Sequence, residues 1–232
     1  MKTIGLIGGM SWESTIPYYR HINETVKQQL GGLHSAKVIL FSVDFHEIER
    51  MQQALEWDAA GQLLARAAQA LERAGADIVV LCTNTMHKVA PAIEAAVAIP
   101  LFHIADPTAQ AIKAQGLSRV GLLGTRFTME QAFYKDRLQE MHGLQVLTPN
   151  AADRETVHHI IYHELCLGSV QEPSRQAYRR IMADLVAQGA QAIILGCTEI
   201  SLLVGPGDAA VPLFDTTALH AREAALWALD QA

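Results

Sequence analysis

Two cysteines carry the chemistry this sequence offers. Cys82 closes the segment Gly75-Ala76-Asp77-Ile78-Val79-Val80-Leu81-Cys82-Thr83, and 115 positions later Cys197 closes Gly189-Ala190-Gln191-Ala192-Ile193-Ile194-Leu195-Gly196-Cys197-Thr198. A free thiol has a pKa of about 8.5, and each of these is followed by Thr and a polar residue at the opening of an expected helix, where backbone N–H groups favour the thiolate. Both sulfurs are therefore expected to exchange protons near neutral pH. Two equivalent thiols facing one cleft are the parts for taking a proton off one face of a carbon and returning one to the other. The competing reading is a pair of small buried hydrophobes, since unpaired cysteine is among the most buried residue types. Matching places in an internal duplication count against it. Cys166 has no counterpart in the first half and lies in the apolar stretch 160–167, where core packing is its expected role.

The elements around the cysteines are duplicated as well. Thr3-Ile4-Gly5-Leu6-Ile7-Gly8-Gly9 recurs as Arg119-Val120-Gly121-Leu122-Leu123-Gly124-Thr125, and Ile99-Pro100-Leu101-Phe102 as Val211-Pro212-Leu213-Phe214, at offsets of 116 and 112. Three matches in one order at nearly one offset imply two lobes of similar design related by a pseudo-dyad. Short apolar runs bounded by Gly, Asp or Pro predict strands at 4–7, 36–42, 78–81 and 101–103, then at 120–123, 146–148, 193–195 and 213–214. Length and apolar spacing predict helices at 14–30, 57–74 and 85–96, then at 129–141, 153–166, 173–188 and 217–229. Strands alternating with helices give an α/β fold, with a parallel sheet covered on both faces built twice. The lobes are placed at residues 1–103 plus 209–232 and at 104–208, with two chain crossings. In such sheets ligands sit beyond the carboxyl ends of the strands, where Gly8-Gly9-Met10-Ser11, Cys82-Thr83-Asn84-Thr85, Gly124-Thr125 and Cys197-Thr198-Glu199 all fall. The Gly8-Gly9 pair lacks the spacing and the Lys of a nucleotide loop. It reads instead as a tight turn where backbone approaches something closely.

Composition narrows the partners. Half of the residues are apolar, enough for a substantial core, and the net charge of −6 argues against a nucleic-acid or anionic-membrane surface. The N-terminal run is neither a signal-peptide h-region nor a membrane span, so a cytoplasmic location is expected. Three cysteines are too few and too odd in number for a disulfide framework. His159 and His163 stand one helical turn apart, with His158 nearby, but a third ligand at fixed spacing is missing, and no metal is expected.

The segments LIGGMSWEST, SVDFHEIE, VLCTNTMHK, GLLGTRFTM, IYHELCLG and ILGCTEI resemble the motifs of the aspartate/glutamate racemase family, the cofactor-independent amino-acid racemases, across the whole chain. The resemblance implies two Rossmann-like lobes with the active site in the cleft between them, no pyridoxal phosphate, an amino acid as the small-molecule substrate, and Cys82 and Cys197 as the acid/base thiols. A homodimer is the expected assembly. A carbanion developing beside a carboxylate needs preorganised donors, which the backbone N–H groups and hydroxyls of Thr83, Asn84, Thr85 and Thr198 are placed to supply. Asn84 and Thr198 are also candidate helix caps. By resemblance, Glu199 and Asn84 contact the substrate α-amino group or tune the thiols, while Met10, Ser11, Gln52 and Thr125 form the walls. Acid-specific members present basic side chains to the second carboxylate. Here the corresponding stretches read Met51-Gln52-Gln53 and Gly168-Ser169-Val170-Gln171, with only Arg50 near, so broad specificity is expected. The alternatives are a sister reaction on paired cysteines, such as cis–trans isomerisation of maleate or hydantoin racemisation, and a non-catalytic two-lobed small-molecule binding protein.

Overall fold

Ile4, Leu6 and Ile7 form a run too continuous for a sheet with one wet face, and in the computed structural model they lie on β1 (Thr3–Gly8), buried on both sides. The structure describes residues 1–230. They divide into two units, one made of residues 1–103 with the chain from His220 onward, the other of residues 104–219.

In the first unit β1 pairs in parallel with β2 (Lys37–Ser42) and β3 (Ile78–Leu81), and β3 with β4 (Leu101–Phe102), giving the order β2-β1-β3-β4. Side chains alternate across the strands. Ile7, Val79 and Leu81 face Leu64, Ala67 and Leu71 of the helix Trp57–Arg73. Ile4, Leu6, Ile78 and Val80 face Tyr18, Ile22 and Val26 of the helix Trp12–Leu30 and the alanines 221, 224 and 228 of the last helix, Thr216–Asp230. The helix Trp57–Arg73 stops where Gly75 takes φ +94°, a left-handed conformation that favours glycine. Lys2 N–H donates to the Ala228 carbonyl at 2.9 Å, tying the first strand to the last helix.

The second unit repeats the plan. β5 (Arg119–Gly124), β6 (Gln145–Leu147), β7 (Ala192–Gly196) and β8 (Leu213–Asp215) are all parallel in the order β6-β5-β7-β8. Leu123, Ile193 and Leu195 face Tyr178, Ile181 and Leu185 of the helix Glu172–Ala187, while Val120, Leu122 and Ile194 face Ile104, Ile112 and Leu138. The duplication reaches single hydrogen bonds. Val79 N–H donates to the Pro100 carbonyl at 2.8 Å, as Ile193 N–H does to that of Pro212 at 3.0 Å.

The fold class stands as read, two four-stranded parallel sheets with helices on both faces. The sequence-based boundary at residue 209 moves, because β8 bonds to β7, so residues 209–219 stay with the second unit and the chain returns inside the last helix. Other differences are local. Two further helices, Phe45–Gln53 and Ala105–Ala114, lie where the sequence reading assigned no element. The expected helix 129–141 is three short pieces, Arg126–Glu130, Ala132–Asp136 and a π-helical turn Arg137–Met141. Among the described residues no helix is long and apolar enough to cross a membrane.

Candidate active site

The first half-site gathers where β1 and β3 end side by side. After Gly8 the chain turns at Gly9, whose φ of +92° and 2.2 Å separation between an added Cβ and the Val43 carbonyl oxygen admit only glycine. Gly9 N–H donates to Thr15 Oγ1 at 2.8 Å, and the Ser11 carbonyl accepts from the hydroxyls of Ser14 and Thr15 at 3.0 and 2.9 Å. The loop carrying Met10 and Ser11 is thus fastened to the helix behind it. Met10 packs in the apolar cluster that holds Leu81 and Met86, and Gln52, also buried, donates from Nε2 to Met86 Sδ at 3.0 Å. Thr83, Asn84 and Thr85 follow Cys82 and are buried with it. The structure therefore brings Met10, Ser11, Gln52, Cys82, Thr83, Asn84 and Thr85 to one edge of the first sheet.

Cys82 itself is fully buried, packed with Ile78 and Val80, and its Sγ lies 3.8 Å from the Val80 carbonyl oxygen. Burial pushes this thiol well above the usual cysteine range. The expected long helix after it is a 3-10 turn, Thr85–Val89, followed by the short helix Ala90–Glu94, and Asn84 makes no side-chain cap. The expected lowering of the thiol pKa by a helix N-terminus is therefore overturned, since the dipole of such a short segment is small beside the cost of desolvating a thiolate.

The second half-site forms at the ends of β5 and β7. Gly124 and Gly196 are register partners, and a Cβ on Gly124 would stand 2.7 Å from the Gly196 carbonyl oxygen, so the strands close only with glycine. Thr125 caps Arg126–Glu130 by accepting from Thr128 N–H at 3.3 Å, and Arg126 N–H donates to His158 Nδ1 at 3.3 Å. Cys197, 8 % exposed, donates from Sγ to Glu199 Oε2 at 3.0 Å, and the same oxygen accepts from Thr198 Oγ1 at 2.8 Å. Thr198 thus serves Glu199 rather than capping a helix, and the helix that follows, Ile200–Leu203, is a single turn. Burial first and the Glu199 carboxylate second push the Cys197 thiol well above its ordinary value.

Cys166 was expected to be core packing alone. It sits on the 3-10 turn Leu165–Leu167, half-buried against the core cluster that contains Cys197, and its thiol also hydrogen bonds to Glu199. Sequence reasoning missed this because only the fold brings residue 166 to residue 199. It also passed over His87, five positions after Cys82, whose Nδ1 lies 2.7 Å from the Thr83 carbonyl oxygen. The motif VLCTNTMHK contains that histidine, and the spacing was the available signal. His159 and His163 do stack, with ring centroids 4.4 Å apart, but no three potential ligands converge among the described residues. Arg50 and Gln171 are both exposed, and Gln171 Nε2 donates to Ser169 Oγ at 2.9 Å.

Each of the two identically ordered sheets thus carries a thiol where its third strand ends. Over 228 residues the chain is 23 % identical to the broad-specificity amino-acid racemase RacX of Bacillus subtilis, covering 94 % of this chain and 95 % of that one. The crystal structure of a candidate Asp/Glu racemase from Yersinia pestis superposes with a TM-score of 0.92 at 65 % identity, covering 99 % of this chain and 100 % of the other. An aspartate racemase homologue from Pyrococcus horikoshii superposes with a TM-score of 0.84 at 35 % identity over the same shares. Residues 7–224 match the family described as Asp/Glu/hydantoin racemase. The chain belongs to that family, and with it to the isomerases.

Proposed function

We propose that this enzyme interconverts L- and D-amino acids without a cofactor, using Cys82 and Cys197 as the two acid/base groups on opposite faces of the α-carbon. The observation that carries the reading is a thiol at the carboxyl end of the third strand of both repeats, within a racemase family. A racemase needs this pairing, because the base for one enantiomer is the acid for the other.

In the resting protein both sulfurs hold their protons, since burial disfavours the thiolate. An incoming α-ammonium group, met by the Glu199 carboxylate that lies 3.0 Å from Cys197 Sγ, supplies the opposing charge that lets one thiol ionise and pass its proton to solvent. The thiolate then takes the α-proton, and the electron pair spreads into the substrate carboxylate. Donors in the loops Thr83–Thr85 and Thr198–Glu199 stabilise that dianionic carboxylate, and the opposite thiol returns a proton to the other face. Met10, Ser11, Gln52 and Thr125 wall the substrate.

Broad specificity is part of the proposal. The Gln52 amide is engaged with Met86, and none of the residues proposed to wall the substrate carries a guanidinium or ammonium group. An acidic side chain entering without a counter-charge costs several kcal/mol, and about 1.4 kcal/mol is already a tenfold preference, so neutral amino acids compete with aspartate. RacX, described as broad in specificity, lends support. A homodimer fits the exposed apolar side chains Trp12, Ile16 and Tyr19 of the helix Trp12–Leu30 and Leu40 and Phe41 of β2. The test is a panel of L-amino acids in deuterium oxide, followed by α-proton loss and optical rotation. Exchange with racemisation across several neutral substrates is the expected result. Strict dependence on an acidic substrate would remove the specificity claim, and isomerisation of maleate without racemisation would remove the racemase reading.

A further inference from the structure

We infer that His87, held by a buried histidine cluster, is a positioning residue that fixes the peptide after Thr83 and thereby the loop that presents Cys82. The inference rests on the two-thiol reading above and deepens it by naming what sets the geometry of one thiol. His87 is 2 % exposed, and its Nδ1 lies 2.7 Å from the Thr83 carbonyl oxygen. A carbonyl only accepts, so Nδ1 carries the proton. His87 N–H also donates to the Asn84 carbonyl at 3.1 Å, so the loop is closed by backbone and side chain of the same residue. The Thr83–Asn84 peptide is trans and planar, so a carbonyl aimed at His87 turns the Asn84 N–H the opposite way.

The imidazole is in turn immobilised. Its ring centroid lies 4.4 Å from that of buried His103 and 5.9 Å, edge-on, from that of His220. His220 Nε2 donates to the Phe102 carbonyl at 2.7 Å, which leaves Nδ1 to accept from Tyr18 O–H at 2.8 Å. Both ring nitrogens of His220 are thereby held, one against the Phe102 carbonyl and the other against the Tyr18 hydroxyl. Helix Trp12–Leu30, the end of β4 and the last helix all contribute to this support, and an apolar core needs no such bonds. A cluster of buried rings held by hydrogen bonds and ring contacts, ending on the carbonyl next to Cys82, has the features of an outer shell that orients a reacting group.

The test compares His87→Asn with His87→Gln. The Asn amide nitrogen falls near the place of Nδ1 and keeps the bond to Thr83, whereas the Gln amide nitrogen falls near Nε2 and leaves that carbonyl unpaired. Because L- and D-amino acids are equally stable, kcat/KM must fall equally in both directions, so the informative measurement is the α-deuterium isotope effect on each enantiomer. The expected result is a folded His87→Asn enzyme within threefold of the wild type. His87→Gln should lose tenfold or more in kcat with little change in KM, and its isotope effect should rise only for the enantiomer whose proton Cys82 removes, identified with Cys82→Ser. Equal activity of the two variants, an isotope effect raised for both enantiomers, or a His87→Asn protein that fails to fold would overturn the inference. A wild type that does not racemise any amino acid overturns the proposed function instead.

Discussion

The two thiols close the same motif in sequence, yet they do not occupy equivalent places in their sheets. In the first unit Ile7 pairs with Leu81, and Cys82 comes next; in the second, Leu123 pairs with Leu195 and Gly124 with Gly196 before Cys197 is reached. The extra residue, Gly196, moves the second thiol one step along the chain. Consequently Cys82 packs with the cluster of Ile78 and Val80, whereas Cys197 packs with that of Ile193 and Leu195, the counterparts of Val79 and Leu81. A one-residue slip exchanges faces, as it does in any strand. The environments differ accordingly. Cys82 meets aliphatic side chains and a distant carbonyl, while Cys197 meets a carboxylate shared with Thr198 and Cys166. Duplication has preserved the backbone frame and left the side-chain chemistry of the two halves free to diverge.

The comparison breaks most severely if one thiol is dispensable. Cys82→Ala and Cys197→Ala should each reduce racemisation by about a hundred- to ten-thousand-fold, the usual contribution of a positioned acid or base, measured by polarimetry. A single Ala variant near the wild-type rate would end the two-base account.

A smaller effect sharpens the asymmetry. Glu199→Gln removes the charge that helps hold the Cys197 thiol up, so thiolate forms at lower pH. For the enantiomer deprotonated by Cys197, the acid limb of α-deuterium exchange should move to lower pH, with the other enantiomer's limb unmoved. Equal shifts for both would mean that Glu199 acts on the whole site.

Stability distinguishes the halves next. Asp106, in the second unit, receives two bonds from Arg137, at 2.7 and 2.6 Å, and one from His142 at 3.0 Å. Burial raises its pKa, but these partners outweigh that and hold it below the usual carboxylate range. The pair's contribution is present above the unfolded value near pH 3.9 and lost as pH falls through the folded one. Asp106→Asn should cost about 1–3 kcal/mol at pH 7 by urea titration, with the deficit shrinking below pH ~4. A deficit independent of pH would show that packing, not charge, is at stake.

The smallest effect lies at the strand starts. Asp77 accepts from Thr3 N–H at 2.7 Å, and Gln191 accepts from Arg119 N–H at 3.0 Å, so an amide does in one half what a carboxylate does in the other. Asp77→Asn should therefore be nearly silent in a thermal melt, and Gln191→Ala should cost about 0.5–1.5 kcal/mol. Reversal of that order would make the charge on Asp77 essential.

Much of the frame was legible because strands buried on both faces announce themselves as short aliphatic runs, and the repeat supplied their order. Residues 105–114, just past the expected lobe boundary at 103–104, were assigned no element, yet a proline in the first turn of a helix lacks only an N–H that has no partner there. The region 129–141 kept its apolar spacing while Gln131 interrupted the helix with extended backbone. All eleven candidate site residues fall at strand ends or on the elements beside them. What the spacing left out was depth. A helix start lowers a thiol pKa only where the thiol is solvated, and neither sulfur is.

The half-buried third thiol has a practical consequence for covalent probes. An alkylating reagent added to the native protein meets Cys166 before it reaches fully buried Cys82 or nearly buried Cys197, and a bulky adduct there would crowd Glu199. Inactivation by iodoacetamide would then report a bystander. Labelling stoichiometry interprets catalysis only in a Cys166→Ala background, where the remaining reagent sites are the two thiols themselves.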